Sequence, residues 1–524
     1  MSRIGIIGGI LTFIGGRTGS CERRARLQCA LLTERTKSRL GAWRSAQKPP
    51  RVVPHCLSRA RMGPFAKRVH VDGRIMQVGP ILWRYCHILR HDGVDYGQYL
   101  DQLTYLLFLK MWDSDESATD SSWATLERAI PSEILTTYER ELARLANRDD
   151  LVGAIFAGAR SEFTSGDALA RLIKLIDELR WNDLDRDVQA DAFEYLLEQA
   201  AAEGKKGAGQ YFTPRSLMRS IVACVKPGAV STDVIIGDPA AGTGGFLITA
   251  NEWATDNIPQ RRALRYWGRE LVQRPRRLAL MNAMLHGLDG ATIELGDALA
   301  AETSAVSADV ILANPPFGSQ GSQIPPRGDF WFRTSNKQAN FIQQIALSLS
   351  EVGRAAVVVP DNCLFGDVAR GLMPELVQRV DLHTVLRLPD GTFSPYTSGT
   401  RTNVLFFTNA RPTTSTWIYD ARTREHAGRR PLEKGELDEF VKCFGTDPLS
   451  VSHRTESDSA AGRWKRFDLS ELRDCAYEID RLPWRMATPP RHQANHLKPL
   501  LEARAEMESA LRQIDALVQQ LEAS

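Results

Sequence analysis

From residue 233 to residue 408, short apolar runs rich in β-branched residues alternate with stretches of helical spacing, and this alternation restricts the fold more than any other feature. The runs are 234–236, 292–295, 310–313, 355–359, 384–388 and 404–408. Strands joined through helices pair in parallel and are buried on both faces. The expected class is therefore α/β, a mostly parallel sheet with helices on both faces and ligands at the carboxyl ends of the strands. The last two runs leave room for an antiparallel hairpin edge.

Upstream the period is helical. Leu82, Tyr85 and Leu89, then Leu100, Leu103, Leu107 and Met111, are interrupted by His91-Asp92-Gly93, which reads as helix, turn, helix. Similar patterns over 135–145, 168–179 and 188–202 complete an all-helical domain spanning 76–205. A flexible basic joint, Gly204-Lys205-Lys206-Gly207, opens the α/β domain of 206–420. Residues 421–490 are polar and irregular, and 491–524 read as a C-terminal helix.

Net charge is +3, but residues 1–70 hold fifteen Lys and Arg against Glu22 and Glu34, so that segment carries +13 and the rest −10. An acidic body cannot hold nucleic acid by bulk charge, so a local basic strip or a partner must do so. The apolar stretch from Ile4 to Gly16 is shorter than the ~20 residues of a spanning helix. No membrane role is expected. Residues 1–75 read as a disordered leader or upstream extension ahead of Met62 or Met76, in preference to a basic DNA-binding arm. The eight cysteines show no metal-type spacing, so no metal site is expected.

The segment from Asp233 to Leu247 is a strand ending in Asp238-Pro-Ala-Ala-Gly-Thr-Gly-Gly245 and entering an apolar helix. Gly242, Gly244 and Gly245, with Thr243 between, let backbone approach a ligand closely, and Asp238 can accept from a cationic or hydroxylic group. A phosphate loop would need Lys and Ser or Thr where Phe246 and Leu247 stand, and a dinucleotide turn would want glycine at Leu247. S-adenosylmethionine, with an ammonium and ribose hydroxyls but no phosphate, is the third candidate. A simple tight turn competes with all three. Glu270 closes a second strand, where it could chelate both ribose hydroxyls; Asp297 closes a third and could accept from the adenine amine of the cofactor. Taken alone, Glu270 reads rather as a solvated charge, and after the glycine loop the ribose role is favoured; for Asp297 a turn aspartate is nearly as good a reading.

Residues 308–313 feed Asn314-Pro315-Pro316-Phe317. Each proline holds the preceding residue extended, which fixes the directions of the Asn314 side-chain oxygen and the Pro315 carbonyl. Two such acceptors suit methylation of an exocyclic amine, whose lone pair is delocalised into its ring. Phe317 can stack on the base, which must flip out of a duplex to be reached. An isolated Asn-Pro is usually a turn; after a strand and downstream of a glycine loop the catalytic reading is favoured. In Gln210-Tyr211-Phe212-Thr213-Pro214-Arg215, Thr213 suits an N-cap and Pro214 a first helical position, so a helix would start there with free amides facing a cofactor carboxylate. Residues 318–338, with Arg327, Arg333 and Lys337, read as a mobile loop over the site that touches phosphates.

The glycine loop, the Asn314–Phe317 turn and the Gln210–Arg215 segment resemble the cofactor and catalytic motifs of DNA amino-methyltransferases. More closely, the chain resembles the modification subunit of type I restriction-modification systems from about residue 78 onward. Asp95–Met111 is similar to that family's helical domain, Asn282–Gly287 to its connecting helix, and Leu388–Phe393 with Thr402–Phe407 to its late motifs. Ala241 stands where the family commonly has cysteine, and residues 1–75 match nothing.

The resemblance implies a cytoplasmic N6-adenine methyltransferase using S-adenosyl-L-methionine on double-stranded DNA. Its partners would be a specificity subunit and, where the system has one, a restriction subunit. By the same resemblance, Phe393 would pack the other face of the flipped adenine, although a core aromatic is the plainer reading. The alternatives are a stand-alone or type II enzyme, for which the ~115 residues after Asn409 leave little room, a protein-glutamine methyltransferase, and a non-catalytic scaffold that only binds cofactor.

Overall fold

The computed structural model describes residues 69–482 except 72–73, 92–95, 114–121, 204–211, 231–232, 259–262, 289, 301–305, 320–326, 394–399, 423–431 and 460–461. Most of the leader, Gln210, Tyr211 and the expected C-terminal helix lie outside the described residues.

Two short strands, β1 (Val69–Val71) and β2 (Arg74–Met76), pair antiparallel with Val71 opposite Arg74. This corrects the end of the leader, expected to be without structure. Seven helices follow: α1 (Val78–His91), α2 (Tyr96–Asp113), α3 (Ser122–Arg128), α4 (Ile134–Ala146), α5 (Leu151–Phe156), α6 (Gly166–Glu178) and α7 (Arg186–Glu203). The periodic patterns located five of them. α3 and α5, at seven and six residues, are too short to display a period.

The α/β part runs α8 (Arg215–Val225), β3 (Asp233–Asp238), α9 (Gly245–Asn257), β4 (Ala263–Glu270), α10 (Gln273–Leu285), β5 (Thr292–Leu295) and β6 (Ala308–Ala313). It continues α11 (Lys337–Ser348), β7 (Leu349–Pro360), α12 (Gly366–Arg379), β8 (Asp381–Arg387), β9 (Thr402–Thr408), β10 (Ser415–Asp420), α13 (Asp438–Phe444), β11 (Trp464–Asp468) and α14 (Leu469–Asp474). Nine strands form one sheet in the order β11-β10-β8-β9-β7-β6-β3-β4-β5. β5, β4, β3, β6 and β7 are mutually parallel, whereas β9 is antiparallel to both β7 and β8. The expected antiparallel hairpin therefore exists but is interior. β10 and β11 cover it, and they form the edge in a region that gave no legible pattern.

Side chains alternate between two cores, as the two-residue period of a strand requires. Val310, Leu312, Ala356, Val358, Val404 and Phe406 face one side and share a continuous core with the helical domain. Ala308, Ile311, Ala313, Val357, Leu405 and Phe407 face the other, against α11 and α12.

Helical domain and sheet are also joined by Arg277 of α10. It is 4% exposed; Nε donates to the Ile155 carbonyl and Nη2 to that of Ala157, each at 2.8 Å, and the guanidinium lies over the Tyr105 ring.

Candidate active site

Register brings the candidate residues to one edge of the sheet. Asp238 pairs with Gly268, two residues before Glu270; Glu270 pairs with Leu295, two before Asp297. On the other side of β3, Gly237 pairs with Ile311, so β6 delivers Asn314 just past the same edge. The chain leaves β3 toward β4 and returns to β6 on its opposite flank. This is the switch point at which α/β sheets open a ligand crevice.

The glycine turn follows β3 directly. Gly244 donates its N–H to the Ala241 carbonyl at 2.7 Å and caps α9 with φ 82°. Gly242 has φ 53°, and a Cβ there would meet nothing nearer than a carbonyl oxygen at 4.0 Å. A Cβ on Gly244 would instead face Ala279 of α10, and one on Gly245 would press on the Met218 sulfur at 3.0 Å. The open cradle therefore belongs to Gly242, while the other two glycines serve helix packing. Asn282 of α10 steadies the turn by donating to the Thr243 carbonyl at 3.2 Å.

The carboxylates sit in distinct surroundings. Asp238 is 2% exposed and accepts from the Ala240 N–H at 3.0 Å; burial, with Glu270 nearby, pushes its carboxyl up to about 8. Glu270 accepts from Gly242 at 3.0 Å and Val272 at 2.9 Å, and burial raises it as well. Asp297 accepts from the Leu299 N–H at 2.8 Å.

At the end of β6, the Asn314 Nδ2 donates to the Thr213 hydroxyl at 2.9 Å, while Oδ1 is buried without a partner. Phe317 meets Phe393 edge to face, with centroids 6.4 Å apart. A glycine turn, three carboxylates and an unpartnered amide oxygen thus lie at the carboxyl ends of four neighbouring strands, an arrangement suited to holding a nucleoside-bearing donor against an amine.

The family descriptions agree with this chemistry. N-6 DNA Methylase matches residues 184–481 and HsdM N-terminal domain matches residues 78–206. The chain belongs to the N-6 DNA methylase family. It is 35% identical to the type I restriction enzyme StySPI methylase subunit of Salmonella potsdam, over 84% of this chain and 94% of that one. Identity is also 35% to the EcoKI methylase subunit of Escherichia coli K12, over 84% and 95%. A solved structure described as underlying complex assembly and conformational transition of the type I R-M system aligns with TM-score 0.66 at 25% identity, covering 84% of this chain and 98% of that one. The protein is accordingly an adenine-specific DNA methyltransferase of the type I modification-subunit kind.

Several expectations for the methylase change in detail. Thr213 does not cap α8: Pro214, with ψ 134°, is the N-cap, and its carbonyl accepts the first helical N–H from Met218. The Thr213 hydroxyl is turned to Asn314 instead. Arg215, expected at the cofactor, directs its guanidinium to Glu194 of α7 and, at 2.6 Å, to Glu252 of α9. His286 lies 3.3 Å from Glu194, its imidazole held below the usual range by burial. Glu194, Glu252 and His286 have the atoms for a cation site, but the Arg215 guanidinium already supplies the positive charge there.

Phe212, Arg215, Met218, Thr243, Gly245 and Asn282 do line one cavity, together with Glu194 and Glu198 of the helical domain. Phe393 is buried behind Phe317, which agrees with the core-aromatic reading.

The loop after Phe317 is held down where it is described. α11 carries buried amides: Gln338 donates to the Pro316 carbonyl at 2.5 Å, Asn340 to Thr334 at 3.0 Å, and Gln343 both donates to and accepts from Phe332. Arg327 is 5% exposed and paired with Asp329, so it is not the phosphate contact expected of it; Arg333 is exposed. Sequence reasoning missed Gln338 and Arg277. The signal for Gln338 was a run of amides, Gln338, Asn340, Gln343 and Gln344, in a helix otherwise apolar enough to be buried.

Proposed function

We propose that the methylase transfers the methyl group of S-adenosylmethionine to N6 of an adenine extruded from double-stranded DNA. In this reading it works with a specificity subunit and, where the system has one, a restriction subunit. The fit to the cofactor is supported by the Gly242 cradle, which is open and has no lysine to meet a phosphate, and by three carboxylates suited to an ammonium and hydroxyls. When bound, the cofactor supplies an electrophilic methyl on a sulfonium.

Each residue then has a task. Both Glu270 oxygens hold an amide yet keep a second lone pair for ribose hydroxyls. Asp297 accepts from the cofactor's adenine amine, and Asp238 from its cationic or hydroxylic groups. Phe212 and Thr243 line a cavity beside the glycine turn. Asn314 Oδ1 and the Pro315 carbonyl accept from the two N6 hydrogens, which favours a pyramidal nitrogen with its lone pair toward the methyl carbon. Pro316 keeps the turn extended, and Phe317 stacks on the base.

The observation that carries this reading is Asn314 Oδ1. A buried acceptor left unpaired costs about 1–3 kcal/mol, and it is explained if the missing donor is the substrate. Asn314→Ala should lower methyl transfer by at least ~100-fold while cofactor affinity changes only a few-fold, since the amide acts on N6 and not on the donor. Measured turnover near that of the unmodified chain would overturn the mechanism.

A further inference from the structure

The amide of Asn314 has two ends, and only one of them helps. Its oxygen accepts from N6; its nitrogen in the same place would set donor against donor. In the structure Nδ2 is committed to the Thr213 hydroxyl at 2.9 Å, and Oδ1 is the buried atom without a partner. We propose that Thr213 is a positioning residue for methyl transfer, fixing the Asn314 amide with its oxygen toward the target nitrogen. This rests on the reading of Asn314 as the acceptor for N6.

A hydroxyl can pair with either end of an amide, so Thr213 alone does not choose the orientation. The target does. Once N6–H donates to Oδ1, only the arrangement with Nδ2 on Thr213 leaves both ends of the amide paired. The turned amide would face two donors with a third. Without the hydroxyl, Nδ2 loses its acceptor in a buried setting, and neither orientation is then fully satisfied.

The hydroxyl itself is well located. Pro214 fixes the entry to α8, and Arg215 ties the next position to Glu194 in the helical domain and Glu252 on α9. On the far side of the catalytic turn, Gln338 holds the Pro316 carbonyl. The Asn314–Phe317 turn is thus held at Asn314 by the segment entering α8 and at Pro316 by α11. Thr213 stands in a segment otherwise associated with the cofactor, and the two roles make different kinetic predictions.

The test uses the methylase assembled with its partner subunits and carrying Thr213→Val, Thr213→Ala or Thr213→Ser, with kcat measured at saturating cofactor and DNA and cofactor Kd measured separately. Loss of the hydroxyl should lower kcat on the order of 10- to 100-fold with Kd within about three-fold. Thr213→Ser should recover kcat to within a few-fold. Thr213→Ala provides a second hydroxyl-free variant should valine disturb folding.

The proposal is overturned if both hydroxyl-free variants keep kcat within about three-fold, if the whole loss appears in cofactor Kd, or if serine is as impaired as valine. Asn314→Ala separates the two levels. An inactive Asn314→Ala with an active Thr213→Val removes only the positioning role, whereas an active Asn314→Ala removes the acceptor reading beneath it.

Discussion

Asp238 ends β3 fully enclosed, with one backbone amide for company and Glu270 adding negative charge, and its carboxyl titrates at about 8. Near neutrality, with no cofactor cation beside it, the folded chain therefore keeps a proton there that the unfolded chain has released. Below the unfolded value of about 4 both states are protonated and burial carries no ionic penalty. As pH rises from about 4 to about 8 the unfolded state is favoured progressively, and stability falls. Asp238→Asn removes this dependence. The variant should melt a few degrees (about 2–6 °C) higher than the parent at pH 8.5 and no higher at pH 4.5, as read by thermal denaturation. An equal difference at both pH values would assign the effect to packing. The sequence made the residue types at this site legible because Asp238, Glu270, Asp297 and Asn314 each close a recognisable strand. It did not reveal that Thr213 faces Asn314, since the two are 101 positions apart and meet only through sheet closure.

At the scale of elements, the central strands and β5 at one rim were readable, while β10 and β11 at the other rim were not. Residues 310–313 of β6, 355–359 of β7 and 404–407 of β9 are apolar throughout because each face of the sheet has its own core. β11 reads Trp-Lys-Arg-Phe-Asp: Trp464 and Phe467 are buried and Arg466 is exposed, as an edge strand guards itself with charge. That charge hides the strand from a hydrophobic pattern. The insertion of β9 between β7 and β8 is likewise invisible locally, because pairing partners are not encoded in either strand alone. Helix α10 offers a test of how elements are joined. Arg277 satisfies the carbonyls at the end of α5 and stacks on Tyr105 of α2. Arg277→Met keeps much of the volume and leaves both carbonyls unpaired, which should cost about 2–4 kcal/mol in denaturant unfolding. Arg277→Lys should recover only part, because a point donor cannot reproduce the fork. Full recovery with lysine would show that charge, not geometry, is what the helical domain needs.

The whole molecule has an acidic body, with net charge −10 beyond residue 70, and duplex DNA is held chiefly through phosphate neutralisation. Because the body is acidic, the proposed function assigns the presentation of DNA to a partner in preference to a local basic strip. Among the described residues no helix is long and apolar enough to cross a membrane. We propose that the partner docks on 491–524, which lies outside the described residues, and the spacing of its apolar positions alone carries that proposal. Met507, Leu511, Ile514, Val518 and Leu521 recur at intervals of four, three, four and three, the seam of a short coiled coil. Helix over 500–523 would extend about 36 Å, long enough to lie along a helix of a specificity subunit. Replacing Leu511, Ile514 and Val518 with Asp puts three charges in that seam. The variant should fold with unchanged cofactor affinity, fail to co-purify with the specificity subunit, and lose sequence-specific methylation with it. A stable, fully active complex from the triple variant would place docking elsewhere on the chain, and sequence-specific methylation by the isolated wild-type subunit would remove the need for a partner altogether.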